Sequence, residues 1–394
     1  MALRAELATR LNNDMKIGHD DFLEDDFLLE DFEDDSLNIK IKKGQIDSNI
    51  NILINLYLER KTEKSLSSRN VSEAIKMAGI ENRFSSSQQW IKSKKWDKKP
   101  RLWDIGSKLF GIADNRVNRA IGIWVVHLVA GADGENIGTF QYTLDIIGNQ
   151  GTGKTSFLKK IGQEFYTDQI TSFKDKDDQM KMLVCLLVND DEMQVSKGEK
   201  QEKEFKKFVS TDVFSYRKPY DSKATHKNRH FVIARTTNNS DYLTDLTGNR
   251  RVIPVLVSKK KIVNPSYELP EEWYNNVLAE AYQYYQDHDL YTLNRELDNC
   301  DFTDITEGLN ENIDIKDNVL GIIKKDYPKE KVVPMAELKS KVLESDINYW
   351  ASRKDKAIIK SQVNDVMTYL GYTQGRTYIN GKQIRSYVLE EDGS

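Results

Sequence analysis

The stretch LDIIGNQGTGKTSFLKKI, from Leu144 to Ile161, runs from apolar residues through three closely spaced glycines to a lysine and two hydroxyl residues, then turns helical. Gly148, Asn149, Gln150, Gly151, Thr152, Gly153, Lys154 and Thr155 fit the pattern G-x-x-x-x-G-K-[ST] in full. A strand-like TLDII precedes the glycines, and a helix-like TSFLKKI follows them. Glycines in these places let successive N–H groups turn inward on an anion, and a helix N-terminus adds its positive end. Lys154 is placed to reach the β and γ oxygens of a nucleotide, and Thr155 to ligate Mg2+. Ser156 completes the expected nucleotide-binding set. ATP and Mg2+ are therefore the expected cofactors.

A phosphate cradle needs a carboxylate at the end of a neighbouring strand, and a group to orient water. MLVCLLVNDDEM ends in Asn189, Asp190, Asp191 and Glu192. Asp191 is assigned to the metal and Glu192 to the attacking water, although three adjacent carboxylates leave the metal's choice open. RHFVIARTTNN is a further apolar run ending in polar residues, where Asn238 is placed to sense the γ-phosphate. LTDLTGNRRVIPVLV sets Arg250 and Arg251 just before another strand. A guanidinium there suits the charge that develops on a transferring phosphoryl group, and which of the two serves is open. Between the second and third of these elements lies FSYRKPYDSKATHKNRH. Its Arg217, Lys218, Lys223, His226, Lys227 and Arg229, interleaved with Tyr216 and Tyr220, suit a nucleic-acid backbone and its bases.

From about Gln141 to Val257, strand-like runs alternate with helix-like segments, the signature of an α/β sheet flanked by helices. The expected divisions are an acidic, disordered arm over 1–36, a helical region over 37–140, the nucleotide core over 141–257, a helical lid and linker over 258–315, and a final domain over 316–394. Three helices and a β-hairpin around Asn380-Gly381 give that last domain a winged-helix-like pattern. Its Arg376, Lys382 and Arg385 suit phosphate contacts, though a protein-contact module would look similar. Trp90, Trp96 and Trp103, set among lysines, are read as packing residues, and His127 in its apolar helix as a core residue.

The formal net charge of -4 is unevenly spread. Met1 to Asp35 carries three basic and twelve acidic residues, which leaves the remainder mildly basic at about +5. The arm reads as a solvated tail, or more sharply as a segment that docks on a basic groove or a partner. No apolar run reaches the roughly 20 residues of a membrane span. No secretory leader is visible, and Cys185 and Cys300 form neither a framework nor a CxxC pair. The expected setting is reducing, the cytoplasm of a bacterial cell, without a membrane.

Taken together, WDKKPRL (Trp96–Leu102), GNQGTGKT, YRKPY (Tyr216–Tyr220) and TTNNSDYLTDLTGNRR (Thr236–Arg251) resemble the virulence-associated protein E family, phage- and island-encoded relatives of superfamily-3 helicases. The resemblance covers roughly Ser86 to Val257. It implies an AAA+-like P-loop core and a replication-associated ATPase acting on DNA. It also implies a hexameric ring with the arginine supplied in trans, and a basic pore hairpin falling on YRKPYDSKATHK. No primase-like pattern precedes the core, so a separate primase or initiator is an expected partner. The functional expectation is an ATP-dependent helicase or translocase on single-stranded DNA or a duplex origin. The alternative is an ATP-switched DNA-binding initiator or regulator. A metabolic P-loop kinase has no use for the basic aromatic loop.

Overall fold

The computed structural model describes residues 2–196, 198–217, 224–238, 251–258, 262, 264–305, 319–327, 332–345, 363–364, 366–368, 370–379 and 381–389. Its central layer is a five-stranded sheet built from β7 (Thr143–Gly148), β8 (Tyr166–Thr167), β9 (Leu187–Asp190), β12 (Val232–Thr237) and β13 (Val252–Val257), in the order β13-β7-β12-β9-β8. Every pairing in it is parallel. Parallel strands are covered on both faces and read as continuous apolar runs. β7 and β12 accordingly bury almost every residue.

The exceptions within those runs are paired. Asp145 and Arg235 are register partners on adjacent strands and both are inaccessible to solvent. The Arg235 guanidinium donates to both Asp145 oxygens, at 3.1 and 2.6 Å, and to Glu202 at 2.9 Å. It also stacks over Phe205, 4.1 Å from the ring centre. Glu202 and Phe205 belong to α9 (Glu199–Val209), so one arginine ties two strands and a helix together.

Against one face of the sheet lies α6 (Asn115–Ala132), buried over nearly its whole length and capped by Asp114. Trp124 of α6 donates to the Ile233 carbonyl of β12 at 3.0 Å. α10 (Glu271–Asp287) packs on α6 and holds the WDKKPRL segment, because Glu280 accepts the Arg101 and Leu102 N–H groups and Asn276 accepts that of Asp97. Trp90 and Trp103 do pack, the latter under Arg119 at 3.7 Å, whereas Trp96 stays half-exposed beside Lys98.

The N-terminal residues overturn the expected disordered arm. α1 (Ala2–Asp14), β1 (Ile17–Asp20), β2 (Asp25–Leu28), β3 (Phe32–Asp34) and β4 (Ile39–Ile41) fold with α2 (Ser48–Thr62) and α3 (Ser68–Glu81) around Leu7, Leu11, Ile17, Ile54, Leu58 and Val71. The expected helical region from residue 37 is likewise a mixture of strands and helices. The acidic residues find cations later in the chain: Asp21 pairs with Arg83, Asp31 with Lys42, Glu33 with Lys40 and Asp34 with Lys61. Of the interleaved apolar residues, Leu28 and Phe32 pack in this unit, whereas Phe22 leaves it and docks on Phe165 and His230 beside the parallel sheet, with ring centres 5.2 and 5.0 Å away.

At the other end, β14 (Val332–Pro334) joins β15 (Tyr372–Ile379) and β16 (Lys382–Leu389) in an antiparallel sheet of order β14-β16-β15, against the helix Met335–Ser345. The expected hairpin is present. Much of the third expected helix lies outside the described residues. Among the described residues, no helix is long and apolar enough to cross a membrane.

His127 is a core residue, stacked on Phe140 with ring centres 3.8 Å apart and hydrogen-bonded through Nδ1 to the Ile123 carbonyl at 2.9 Å. Burial pushes its pKa down to about 4. The unfolded chain therefore takes a proton near pH 6.5 that the folded chain refuses, and stability is lost as pH falls from 6.5 towards 4. Between pH 7 and pH 5 this one group is expected to cost about 2 kcal/mol. Urea unfolding of the wild type and of His127→Phe at both pH values checks this. The variant's stability should fall less by that amount, and identical pH dependences would contradict the assignment.

Candidate functional site

The parallel register brings Gly148, Asp190 and Thr237, the last residues of β7, β9 and β12, to one edge of the sheet. The glycine loop leaves that edge and enters α7 (Lys154–Gly162). A Cβ on Gly148 would lie 2.2 Å from the Val257 carbonyl of the adjoining strand. Gly153 has φ +81°, and a Cβ there would lie 2.4 Å from the Ser266 hydroxyl. Both positions therefore require glycine, one by close approach and the other by backbone conformation as well. Thr152 closes the loop on the Asn149 carbonyl at 2.8 Å. α7 begins at Gly153 with no side chain capping its first N–H groups, which leaves them to an external acceptor.

Lys154 is nearly buried and folds back over the loop. Its ammonium donates to the Gly148 carbonyl at 2.6 Å, the Asn149 carbonyl at 3.1 Å and Asn238 Oδ1 at 2.8 Å. Burial lowers its pKa, while Asp191 and Glu192 pull the other way. Glycine loop and β12 tip thus share one cation.

The three carboxylates at the end of β9 separate cleanly. Asp190 is buried and turned back into the chain, accepting the N–H groups of Val195 and Ser196 at 2.9 Å each. Burial raises its pKa. Asp191 faces the loop: its Oδ1 accepts the Thr155 hydroxyl at 2.9 Å, the Thr236 hydroxyl at 2.6 Å and the Asn189 amide at 3.3 Å. All three donors converge on one oxygen and none of them takes Oδ2. Glu192 is exposed, and it and Met193 adopt φ +54° and +50°. Two adjacent side-chain-bearing residues in the left-handed region store strain, a feature that clusters where function fixes a backbone. The Glu192 N–H donates to Thr236 at 3.1 Å, which ties this strained turn to β12.

Thr236 and Ser266 were missed in the sequence. Thr236 had a visible signal, a hydroxyl two residues before Asn238 on an inward-facing strand end. Ser266 had none, because only the folded chain places it on Gly153, whose carbonyl accepts its hydroxyl at 2.6 Å.

The donor set suits magnesium bound to a polyphosphate. Among the described residues, no cluster of three or more His, Cys, Asp or Glu could hold a metal unaided. One hydroxyl and one carboxylate, Thr155 and Asp191, are the few protein oxygens such an ion uses when phosphates and waters fill its other positions.

The remaining expected residues divide. Arg251 stands at the start of β13, paired with the Thr143 end of β7 and so across the sheet from the glycine loop. It donates to the Ser210 hydroxyl and the Lys206 carbonyl at the end of α9. Arg250, Lys218 and Lys223 lie outside the described residues. Arg217 and His226 are exposed on the hairpin of β10 (Val213–Tyr216) and β11 (Thr225–Asn228). Lys227 points inward instead, donating to the Phe22 carbonyl at 2.7 Å and approaching Glu24 at 3.6 Å, so it is a tether to the N-terminal unit rather than a free contact. Arg229 is fully buried among the Val209, Ile137, Gly138 and Phe140 carbonyls, a structural role that removes it from any nucleic-acid surface. Arg376, Lys382 and Arg385 are exposed on the C-terminal hairpin, with Arg376 directly opposite Arg385.

Comparison with solved structures returns the apo structure of the NrS-1 C-terminal region (305-718), at 13% identity and a TM-score of 0.45, covering 99% of this chain and 100% of that one. An A-form apo structure of the same region gives 13% identity and a TM-score of 0.44, over 98% and 99%. A further A-form apo structure gives 16% and 0.40, over 98% and 100%. No curated protein matches. Residues 91–303 match the virulence-associated protein E-like domain, a span that holds the whole parallel sheet, the glycine loop and Asp191. The chain therefore belongs to the virulence-associated protein E-like family.

Proposed function

We propose that the chain is an ATP-hydrolysing motor that acts on DNA during replication of a phage or mobile element, as a helicase or translocase working in a ring. The observation that carries this reading is the convergence of Lys154, Thr155, Asp191 and Asn238 at one sheet edge. Four side chains from three strand ends meet around a loop whose backbone admits only glycine at two places. A nucleotide site of the P-loop kind needs that combination.

In this reading the loop amides and the first turn of α7 bind the triphosphate. Lys154 gives up its loop carbonyls for the β and γ oxygens, which restores full value to a buried cation. Thr155 and Asp191 would hold Mg2+, which would supply charge neutralisation for phosphates that the protein alone would meet with one lysine. Glu192 orients and deprotonates the attacking water, helped by Asn238, and Thr236 fixes the turn that aims it. Arg251 cannot reach its own loop, being at the opposite sheet edge. As an arginine finger Arg251 would therefore serve the site of another copy, which supports the ring; Arg250, the alternative, lies outside the described residues. Arg217 and His226 on one hairpin, and Arg376, Lys382 and Arg385 on the other, are the exposed DNA contacts of the proposal.

Single-turnover and steady-state ATP hydrolysis test this. Wild-type turnover should rise with added single-stranded DNA, and Lys154→Ala should lower it at least about 100-fold with the thermal transition unchanged. Slow hydrolysis indifferent to single strands, joined to sequence-specific duplex binding, would favour the ATP-switched initiator instead.

The two neighbouring aspartates should behave differently. Asp191→Ala is expected to abolish hydrolysis and to cost less stability than the neighbouring change, because Asp191 is only half-buried and the hydroxyls it releases can rotate to other acceptors. Asp190→Ala should leave two buried N–H groups without acceptors and destabilise the fold by about 2–4 kcal/mol. Thermal unfolding of both variants, together with their hydrolysis rates, checks the division. Equal stability losses would contradict it.

A further inference from the structure

We propose that Tyr267 is the wall on which the base of the bound nucleoside triphosphate stacks. The inference rests on the nucleotide reading above and names the group that recognises the nucleoside half of the ligand.

Pro265 to Glu268 form a turn, closed by the Glu268 N–H on the Pro265 carbonyl at 2.9 Å. Tyr267 is its third residue. The backbone around it is held on every side. The Ser266 hydroxyl donates to the Gly153 carbonyl at 2.6 Å, and the Ser266 carbonyl accepts the Tyr274 hydroxyl at 2.7 Å. The Lys160 ammonium donates to the Tyr267 carbonyl at 2.9 Å and the Leu269 carbonyl at 2.5 Å. The turn is thus pinned to α7 at two points, Gly153 at its start and Lys160 two turns on. Gly153 is the N-cap of α7 and Lys160 lies in its last turn, so the turn runs beside this helix and next to the N-terminus where the proposal places the phosphates.

While Ser266 is fully buried, Tyr267 leaves 53% of its surface exposed. A ring held on a fixed backbone loses little freedom when a ligand covers it, which is the condition for a preorganised contact. Among the described residues the other exposed tyrosines are Tyr291 on α11 (Leu290–Asp298) and Tyr378 on the C-terminal hairpin. Only Tyr267 adjoins the glycine loop. In the proposal a nucleoside leaving the phosphates at the start of α7 passes along this turn, where the exposed Tyr267 offers a flat apolar surface to the base. Every base has a π-face, so Tyr267 contributes affinity for the nucleoside and little choice among bases.

Calorimetric binding of magnesium ATP and of magnesium tripolyphosphate, which has no base, separates the two halves of the site. The proteins are the wild type, Tyr267→Ala, Tyr267→Phe and Lys154→Ala. Tyr267→Ala should bind ATP about tenfold more weakly and tripolyphosphate as the wild type does, and Tyr267→Phe should retain both. Lys154→Ala should weaken both ligands. Undiminished ATP binding by Tyr267→Ala would overturn the proposal while leaving the phosphate reading intact. Equal weakening of both ligands would also overturn it, by assigning the effect to a distorted loop. A wild type that binds neither ligand would remove the nucleotide reading and the base wall with it.

Discussion

The site depends on the register between β7, β12 and β9, and the buried Arg235–Asp145 pair is what marks that register in the core. A parallel sheet of apolar strands packs almost equally well if a strand slides by two residues, because the same faces stay buried. A guanidinium that meets both oxygens of one carboxylate does not tolerate the slide. Losing Arg235 would leave the buried Asp145 carboxylate without its guanidinium, a loss of about 3–5 kcal/mol. With Arg235 opposite Asp145, Thr236 and Asn238 emerge beside Asp191 and Lys154. The charged pair sits well inside the sheet, and the chemistry appears one and three residues further along.

The same network reaches beyond the glycine loop. Glu202 joins Arg235 to α9, and the far end of α9 receives Arg251 at the foot of β13. One helix thus contacts Arg235 of β12, the strand whose tip carries Asn238, and Arg251 at the foot of β13. This is a contiguous path of hydrogen bonds between two ends of the sheet. In the proposed ring it would connect the state of one site to the position of Arg251.

Much of this was legible in the sequence, for a physical reason. The glycine loop, the strand runs and the polar residues at their ends are local patterns, each set by backbone geometry within about ten residues. What failed to show was long-range. The acidic N-terminal stretch looked like a tail because its cations, Lys40, Lys42, Lys61 and Arg83, come later in the chain and are not adjacent to it. Lys227 and Arg229 look like their exposed neighbours in composition, and only folding turns one to the Phe22 carbonyl and the other into a cage of four carbonyls. The choice among Asp190, Asp191 and Glu192 depended on where a strand ends and its turn begins, a matter of one residue that periodicity does not resolve. Ser266, which touches Gly153, and its neighbour Tyr267 come from a loop more than a hundred residues after the glycines.

The central claim is that Thr155 and Asp191 take a divalent ion together with a triphosphate. Pulsed electron paramagnetic resonance of Mn2+ bound with ATP to the purified chain tests it at the metal itself. The account predicts phosphorus couplings from the nucleotide and about two fewer bound waters than free Mn–ATP, since a hydroxyl and a carboxylate oxygen replace them. A spectrum and water count identical to those of Mn–ATP without the protein would contradict it.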